Sequence, residues 1–341
     1  MSKNVLVTGG AGFIAHHVVD KILSETDWRI VTLDRLDYSG NLNRLNEVVM
    51  SYPAKERKRV RVVHHDLKAA LNPQIVSTIG KIDYIAHLAA GSHVDRSIQY
   101  PMEFVMDNVV GTVNLLDYAR NLNSLEKFVY FSTDEVFGPA PTGIKYKETD
   151  RYNSTNPYSA SKAAAEELVV AYENTYKLPV VITHTMNVFG ERQHPEKYIP
   201  MCIKRVRDNQ RIMVHSNAEK TKAGSRHYIH AKDVADALMF LYNYDTSTLP
   251  VDFGGAKCQK FNIVGPKELD NLQVAQFIAD VQGKPLNYEF QDFHSSRPGH
   301  DLRYALDGGK MEAMGWKPNP IEDRLAQTIE WTLKNDRWLA F

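Results

Sequence analysis

Short apolar runs and amphipathic stretches alternate through the first half of the chain. Apolar runs bounded by turn-forming residues predict buried β-strands, and apolar positions repeated at helical intervals predict α-helices. Strands are predicted over residues 5–8, 30–34, 60–64, 84–88, 128–132 and 180–185. The clearest helices between them are predicted over residues 14–24, 104–121 and 160–176. This succession predicts an α/β fold with a parallel sheet that is covered by helices on both faces.

The pattern changes after about residue 190, where prolines divide the chain into shorter pieces. At 341 residues the chain exceeds the size at which one hydrophobic core usually stops growing. We therefore expect a first domain over residues 1–186 and a smaller mixed α/β lobe formed mainly by residues 187–341, with a cleft between them. A helical pattern at 232–242 predicts that residues 228–245 return to pack on the first domain.

A glycine-rich segment, TGGAGFIA, follows the first predicted strand and opens the first predicted helix. Gly10, Gly12 and Ala15 fit the spacing GxGxxG/A, and Gly9 with Gly12 fits a shorter GxxG spacing. Such glycines permit a tight turn and let the backbone approach a pyrophosphate at a helix N-terminus. The motif predicts a Rossmann-type, doubly wound sheet that binds a dinucleotide.

Acidic residues follow the next two strands, where the ribose and adenine of a dinucleotide would lie. Asp34 ends the second predicted strand and can accept hydrogen bonds from ribose hydroxyls. Its negative charge favours NAD over NADP, although the positive charge of the adjacent Arg35 weakens this inference. Asp66 and Leu67 close the third strand and are placed to meet the adenine.

Tyr158 and Lys162 form a YxxxK pair whose side chains share one face if the segment is helical. A free phenol has a pKa of about 10, and a fixed lysine ammonium nearby would lower that pKa so that the phenolate can accept a hydroxyl proton. Asp134 and Glu135 follow Ser132-Thr133 at a predicted strand end. Two carboxylates beside a Tyr/Lys pair can serve as separate acid and base, which is more than simple alcohol oxidation requires.

Composition narrows the alternatives. Lys+Arg and Asp+Glu both number 41, so no net charge attracts nucleic acid or anionic lipid. The two cysteines lack metal-ligand spacing, and the histidine doublets lack accompanying ligands, so we expect no metal and reduced thiols. No apolar run is long enough to cross a bilayer, which favours a cytoplasmic protein without membrane partners. The cations Lys197, Arg226, Arg297 and Arg303 are candidates for binding a diphosphate.

Over nearly its whole length the chain resembles the extended short-chain dehydrogenase/reductase family, specifically the dTDP-glucose 4,6-dehydratases. The motifs that carry the resemblance are TGGAGFIA, DRLDYSGNLNRL from Asp34, HLAAGSHVDRSI from His87, STDEVFG from Ser132, YSASK from Tyr158, HPEKYIP from His194 and RPGHDLRY from Arg297. The resemblance implies an NAD-dependent lyase that converts a nucleoside-diphosphate-glucose to its 4-keto-6-deoxy derivative. It also implies a homodimer with a four-helix interface built from the helices near 104–121 and 160–176.

The resemblance assigns roles residue by residue. Tyr158 and Lys162, with Thr133 bonded to the reacting oxygen, would oxidise carbon 4 of the glucosyl ring. Glu135 would remove and later return the carbon 5 proton, and Asp134 would protonate the departing carbon 6 hydroxyl. Residues implied around NAD, besides Tyr158 and Lys162, are Gly9, Gly12, Phe13, Ile14, Asp34, Arg35, Leu36, Asp37, Asp66, Leu67, Leu88, Ala89 and Ala90. Residues implied around the nucleotide sugar are Ser92, Thr133, Asn187, Lys197, Arg226, Asn262, Arg297 and His300.

Departures from the family pattern leave alternatives open. Ala15 replaces a glycine, Gly91 stands where the family usually has Glu, and Val188 replaces a second Asn. Residues 217–225 form a longer and more basic loop before Arg226, which keeps UDP-glucose as an alternative substrate to dTDP-glucose. Two other functions remain: an NAD-dependent nucleotide-sugar 4-epimerase, which has no need of the Asp-Glu pair, and a non-catalytic NAD-binding regulator.

Overall fold

The protein is described by a computed structural model over residues 2–37, 39–250, 258–292 and 302–340. In chain order the strands are β1 Asn4–Thr8, β2 Arg29–Asp34, β3 Val60–His64, β4 Tyr84–His87, β5 Lys127–Thr133, β6 Val180–Thr185, β7 Val188–Phe189, β8 Ile212–Ser216, β9 Ser225–Arg226, β10 Ile229–His230, β11 Gln259–Ile263, β12 Leu269–Asp270 and β13 Tyr288–Asp292.

The α-helices are α1 Ala15–Glu25, α2 Leu42–Met50, α3 Ala54–Arg57, α4 Pro73–Ile79, α5 Val94–Gln99, α6 Pro101–Phe104, α7 Gly111–Ala119, α8 Pro157–Tyr176, α9 Tyr198–Arg207, α10 Ala231–Asn243, α11 Asn271–Val281, α12 Gly309–Ala313 and α13 Ile321–Lys334. A π-helical segment, Val105–Val110, joins α6 to α7 within the single helix that the sequence predicted. No helix in the described ranges is both long and apolar enough to span a membrane.

The central sheet contains seven parallel strands in the order β11-β6-β5-β4-β1-β2-β3. The chain order reverses between β1 and β4, which is the point where sheets of this kind bind ligands at the carboxyl ends of their strands. The predicted Rossmann-type fold class is confirmed. The strand β11 was not predicted from the sequence, and it adds an edge to the sheet from the C-terminal half of the chain.

Helices cover both faces of the sheet, and strand residues therefore bury side chains in both directions. Val5 and Val7 on β1 face a core that includes α1 and α10, whereas Leu6 faces a core that includes α7 and α8. All three side chains are fully buried. This double burial explains why the strands appear in the sequence as continuous apolar runs without polar alternation.

A separate apolar core lies in the C-terminal half of the chain. It is formed by α9, α11 and α13 around the short strand β8, with Ile203, Val214 and Ile278 fully buried. Strand β8 pairs in parallel with β13, outside the central sheet. The helix α10, which corresponds to the predicted segment 232–242, packs instead against α1 of the main layer.

Candidate active site

A cavity of about 370 Å³ opens at the carboxyl ends of the central strands, around the switch point between β1 and β4. Segments that follow six strands, β1 to β6, contribute to its walls. The implied cofactor, substrate and catalytic residues that line it are Gly9, Gly12, Phe13, Ile14, Asp34, Arg35, Asp37, Asp66, Leu67, Leu88, Ala89, Ala90, Ser92, Thr133, Asp134, Glu135, Tyr158, Lys162, Asn187 and Lys197. Most residues that the sequence assigned to NAD and to the nucleotide sugar therefore line one continuous cavity.

The glycine loop has the backbone geometry that a pyrophosphate requires. Gly9 has a φ of +69°, and its amide donates to Leu33 O at 2.8 Å. A Cβ added to Gly12 would lie 2.8 Å from Gly9 O, so only glycine fits this turn. Ile14 is the N-cap of α1 and makes no side-chain cap hydrogen bond, so the positive end of the helix dipole faces the loop, where it favours an anion. These features fit a bound dinucleotide.

The Asp34 carboxylate is held in place at the end of β2. It is 8% exposed, and its oxygens accept hydrogen bonds from Ala11 N at 2.9 Å and Leu36 N at 2.7 Å. A carboxylate has further acceptor sites for ribose hydroxyls. Leu36 itself has a φ of +58° and does not line the cavity, so its contribution in the structure is this backbone amide.

Tyr158 lies in the first turn of α8, where the sequence fixes the helix start. Pro157 takes the first position, and Asn156 and Ser159 form a reciprocal capping box. Tyr158 is 9% exposed, and it lines the cavity together with Thr133. Burial raises the pKa of the Tyr158 hydroxyl, with a further increase from Glu135. The lowering of this pKa that the sequence predicted from Lys162 is therefore wrong for this structure.

The contacts of the Lys162 ammonium are with groups other than the Tyr158 hydroxyl. Its Nζ donates to Phe131 O at 2.6 Å and lies 4.3 Å from the centre of the Tyr130 ring. Burial lowers the pKa of Lys162 to about 7, and only Glu166, one turn further along α8, works in the opposite direction. Lys162 therefore sits near the midpoint between its charged and neutral forms at neutral pH.

Behind Lys162 lies a buried polar network that the sequence analysis missed. Glu166 is fully buried and contacts Ser132, Tyr152 and His184 through its carboxylate. Although burial acts against ionisation, His184 and neighbouring donors hold the pKa of Glu166 down at about 2. A buried charged carboxylate is stable only with such partners, and here it fixes Ser132 at the end of β5.

Asp134 and Glu135 open a 3₁₀ turn directly after β5, and Thr133 caps that turn. Thr133 Oγ1 donates to Asp134 Oδ1 at 3.0 Å, while the other Asp134 oxygen, Oδ2, is buried without a hydrogen-bond partner in the described part of the chain. Burial, reinforced by Glu135, raises the pKa of Asp134 to about 7. Glu135 is oriented by Asn156, whose Nδ2 donates to Glu135 Oε2 at 3.0 Å. The turn presents a carboxyl that can hold a proton beside a second carboxyl group.

Four of the implied substrate residues, Ser92, Thr133, Asn187 and Lys197, line the cavity, whereas Arg226 and Asn262 do not. Arg226 on β9 lies outside the lining; its guanidinium stacks on Tyr304 at 4.6 Å and acts on Asp134 by lowering the pKa that burial raises. Asn262 on β11 is fully buried, and its amide bonds Tyr146 O, Asp307 O and His184 Nδ1. The structure does not support a substrate contact for Asn262, because its polar atoms are used within the fold. Arg297 and His300 lie outside the described residues.

Other cavity residues were not assigned from the sequence. Among them are the polar residues Arg44, Lys68, His93, Asp107, Gln193 and His194. His93 and His194 belong to the same motifs as Ser92 and Lys197, so proximity in those motifs was an available signal. Asp107 had no such signal, because it lies in an amphipathic helix and reaches the cavity through the π-helical segment.

Comparisons with known proteins agree with this geometry. A family model described as GDP-mannose 4,6 dehydratase matches residues 6–328. A dTDP-D-glucose 4,6-dehydratase of Mus musculus is 35% identical over 98% of this chain and 90% of its own length. A trifunctional Arabidopsis thaliana protein, named as UDP-glucose 4,6-dehydratase, UDP-4-keto-6-deoxy-D-glucose 3,5-epimerase and UDP-4-keto-L-rhamnose-reductase, is 36% identical over 98% of this chain and 48% of its own length.

Among solved structures, a dTDP-glucose 4,6-dehydratase of Streptomyces venezuelae with NAD bound superposes with a TM-score of 0.83. It is 34% identical, and the match covers 99% of each chain. The sequence comparisons and the structural superposition both confirm the resemblance to dTDP-glucose 4,6-dehydratases. The chain therefore belongs to the nucleotide-sugar 4,6-dehydratases of the dTDP-glucose type, within the extended short-chain dehydrogenase/reductase family.

Proposed function

We propose that the protein dehydrates dTDP-glucose to the 4-keto-6-deoxy sugar with NAD as its cofactor. The observation that carries this proposal is the placement of Asp134 and Glu135 in the same cavity wall as Tyr158 and Thr133. An oxidation at one sugar carbon needs only the Tyr/Lys pair. Elimination of water across two further carbons needs an acid and a base in addition.

Each residue has a distinct proton to move. Tyr158 takes the proton of the carbon 4 hydroxyl, and Thr133, which lines the same cavity, bonds the same sugar oxygen. Glu135 takes the carbon 5 proton, whose acidity rises once carbon 4 is a ketone, and later returns it. Asp134 protonates the carbon 6 hydroxyl as it leaves as water. The proton that Tyr158 gains balances the proton that Asp134 gives up.

The electrostatics support these assignments. With a pKa of about 7, Asp134 is partly protonated at neutral pH and can donate a proton, which an ordinary aspartate cannot. Tyr158 needs a nearby positive charge to act as base, because burial and Glu135 raise its pKa. Bound NAD would supply a hydride acceptor, a hydride for return to carbon 6, and the positive charge of its oxidised nicotinamide. Lys162 is a further cation of the same cavity when protonated, but in this structure burial outweighs its effect on the pKa of Tyr158.

A replacement of Glu135 tests the assignment. With dTDP-glucose, Glu135→Gln should oxidise carbon 4, fail to remove the carbon 5 proton, and accumulate bound NADH that absorbs in the near ultraviolet. Glu330→Gln, an isosteric change at an exposed site on α13, is the matched control and should turn over normally. Normal turnover by Glu135→Gln would remove it as the base, and wild-type oxidation by Tyr158→Phe would remove Tyr158 from the first step.

Product analysis separates the alternatives. Incubation with dTDP-glucose and UDP-glucose in separate reactions should yield loss of one water from dTDP-glucose. Loss of water from UDP-glucose instead would reassign the nucleotide. A product of unchanged mass would indicate a 4-epimerase, and no conversion of either sugar would favour a regulator that binds NAD.

We further propose that the protein forms a homodimer through helices near 104–121 and 160–176. Five large apolar side chains within residues 98–106, at and just before the first of these helices, are each more than a third exposed: Ile98, Tyr100, Met102, Val105 and Met106. Exposed apolar clusters of this kind favour association.

We also propose that residues 1–186, with 228–245, form the NAD-binding domain and that 187–341 mainly bind the nucleotide sugar. The buried free thiols of Cys202 and Cys258 suit a reducing compartment such as the cytoplasm.

A further inference from the structure

Arg35 lies on the rim of the cavity, at a position where the sequence left the choice between NAD and NADP open. It follows Asp34 directly, and an arginine near this position can accommodate the 2′-phosphate that distinguishes NADP from NAD. A planar guanidinium binds phosphate and carboxylate with the same paired geometry. The partner that Arg35 has in the folded protein therefore affects which cofactor the rim can accept.

In the structure the Arg35 guanidinium is already paired on two sides. Its Nη1 and Nη2 both bond the carboxylate of Asp107, the latter at 2.7 Å. Its Nε donates to Asp37 Oδ2 at 2.6 Å. All three nitrogens thus donate to carboxylates. The hydrogen bonds that Arg35 donates to the Asp107 carboxylate raise the pKa of Arg35 further above its ordinary value.

Asp107 is built into this position by the surrounding fold. It lies 72 residues from Arg35 in the chain and reaches it from the π-helical segment Val105–Val110, a type of distortion that often marks functional sites. Its side chain is 11% exposed. A Cβ added to Gly91 would lie 3.3 Å from Asp107 Oδ2, so the glycine leaves room for the pair.

The rest of the rim offers little to a phosphate dianion. Lys68 Nζ lies 3.4 Å from Asp66 Oδ2 and 3.9 Å from Asp107 Oδ1. Arg44 is buried and donates to the backbone carbonyls of Ser39 and Arg192. Four carboxylates face these cations, those of Asp34, Asp37, Asp66 and Asp107. Each cation named here has a partner within the protein.

We propose that Asp107 is a specificity-determining residue that selects NAD over NADP by holding the Arg35 guanidinium away from a 2′-phosphate. The inference rests on the proposed function, since it assumes that a dinucleotide binds in this cavity. Asp107 acts through Arg35 and is therefore a positioning residue. Its effect should be on the affinity for the 2′-phosphate, with little effect on the part of the cofactor that NAD and NADP share.

Binding to the full-length protein freed of nucleotide tests this without reference to turnover. Calorimetry should compare NAD with NADP, and ADP with its 2′-phosphorylated form, for wild type, Asp107→Asn and Asp107→Ala. Both variants should reduce the ratio of NAD affinity to NADP affinity by about tenfold or more. The reason is that Arg35, freed from Asp107, gains charge-assisted hydrogen bonds to the 2′-phosphate of NADP. The double variant Asp107→Asn/Arg35→Ala is the control, and it should lose this gain.

The outcomes separate the two proposals. An unchanged NAD-to-NADP ratio in both single variants, with dinucleotide still bound, would overturn the role of Asp107 and leave the proposed function intact. A gain that persists in the double variant would overturn it as well, because mere removal of negative charge would then explain the effect. Absence of any dinucleotide binding to the folded wild type would overturn the proposed function together with this inference.

Discussion

Replacement of Asp134 by asparagine should make the protein more stable at neutral pH while it abolishes dehydration. Asp134 is 5% exposed, and burial together with Glu135 raises its pKa from 3.8 to about 7. Between these pH values the folded protein keeps a proton that the unfolded chain has lost. Folding stability therefore falls with rising pH in this window, by about 1.4 kcal/mol for each pH unit. From pH 5 to pH 7 the loss is about 2 kcal/mol, and less than about 0.5 kcal/mol more is lost above pH 7.

Asparagine has nearly the same shape and does not titrate, so this loss should be absent in Asp134→Asn. Urea unfolding of both proteins at pH 5, 6, 7 and 8 measures the free energy of unfolding, and the variant should gain on wild type up to about pH 7. Asp27→Asn, at an exposed site, is the control and should follow wild type. Parallel pH dependence of wild type and Asp134→Asn would refute the reasoning, since it would mean that Asp134 titrates normally in the folded protein. A stable but inactive variant would also show that the acid is maintained at the expense of stability.

Three further results are expected. The value of kcat/KM should fall as pH rises past about 7, because Asp134 loses the proton it must donate; a profile that stays flat from pH 6 to 9 would contradict this. Phe261→Ala, at a fully buried position of β11, should lower the free energy of unfolding in urea by about 3 to 5 kcal/mol, whereas Leu42→Ala at a 44% exposed position should cost less than about 1 kcal/mol. Light scattering should give twice the chain mass of 38.8 kDa for wild type and a single chain mass for Met102→Glu/Met106→Glu.

The elements that the sequence predicted well are those specified by local pattern. The predicted strands 60–64 and 180–185 coincide with β3 and β6, because each is a short segment rich in β-branched residues. The predicted helix 160–176 matches the end of α8, although its start was placed three residues late, past the Asn156, Pro157 and Ser159 cap that sets it within one turn. The glycine loop likewise needs only its own backbone geometry. Such features can be found in a single sequence because their causes lie within a few residues.

The features that the sequence did not reveal depend on contacts between distant segments. Strand β11 joins the sheet only by pairing with β6, whose residues are almost eighty positions earlier. The amide of Asn262 is used by Tyr146, His184 and Asp307, which no motif around it indicates. The charge on Lys162 was predicted to act on Tyr158, but burial shifts the pKa of each group more than they influence one another. Burial of this kind cannot be read from a motif.

The last strand of the sheet constrains how this protein can be divided. Every residue of β6 is buried, and β11 covers its outer edge along five residue pairs. A fragment that ended near residue 190 would leave that edge unpaired, and an apolar strand with free backbone groups readily recruits another copy. Such a fragment should aggregate instead of serving as a portable cofactor-binding module, so grafting experiments need the later strand as well.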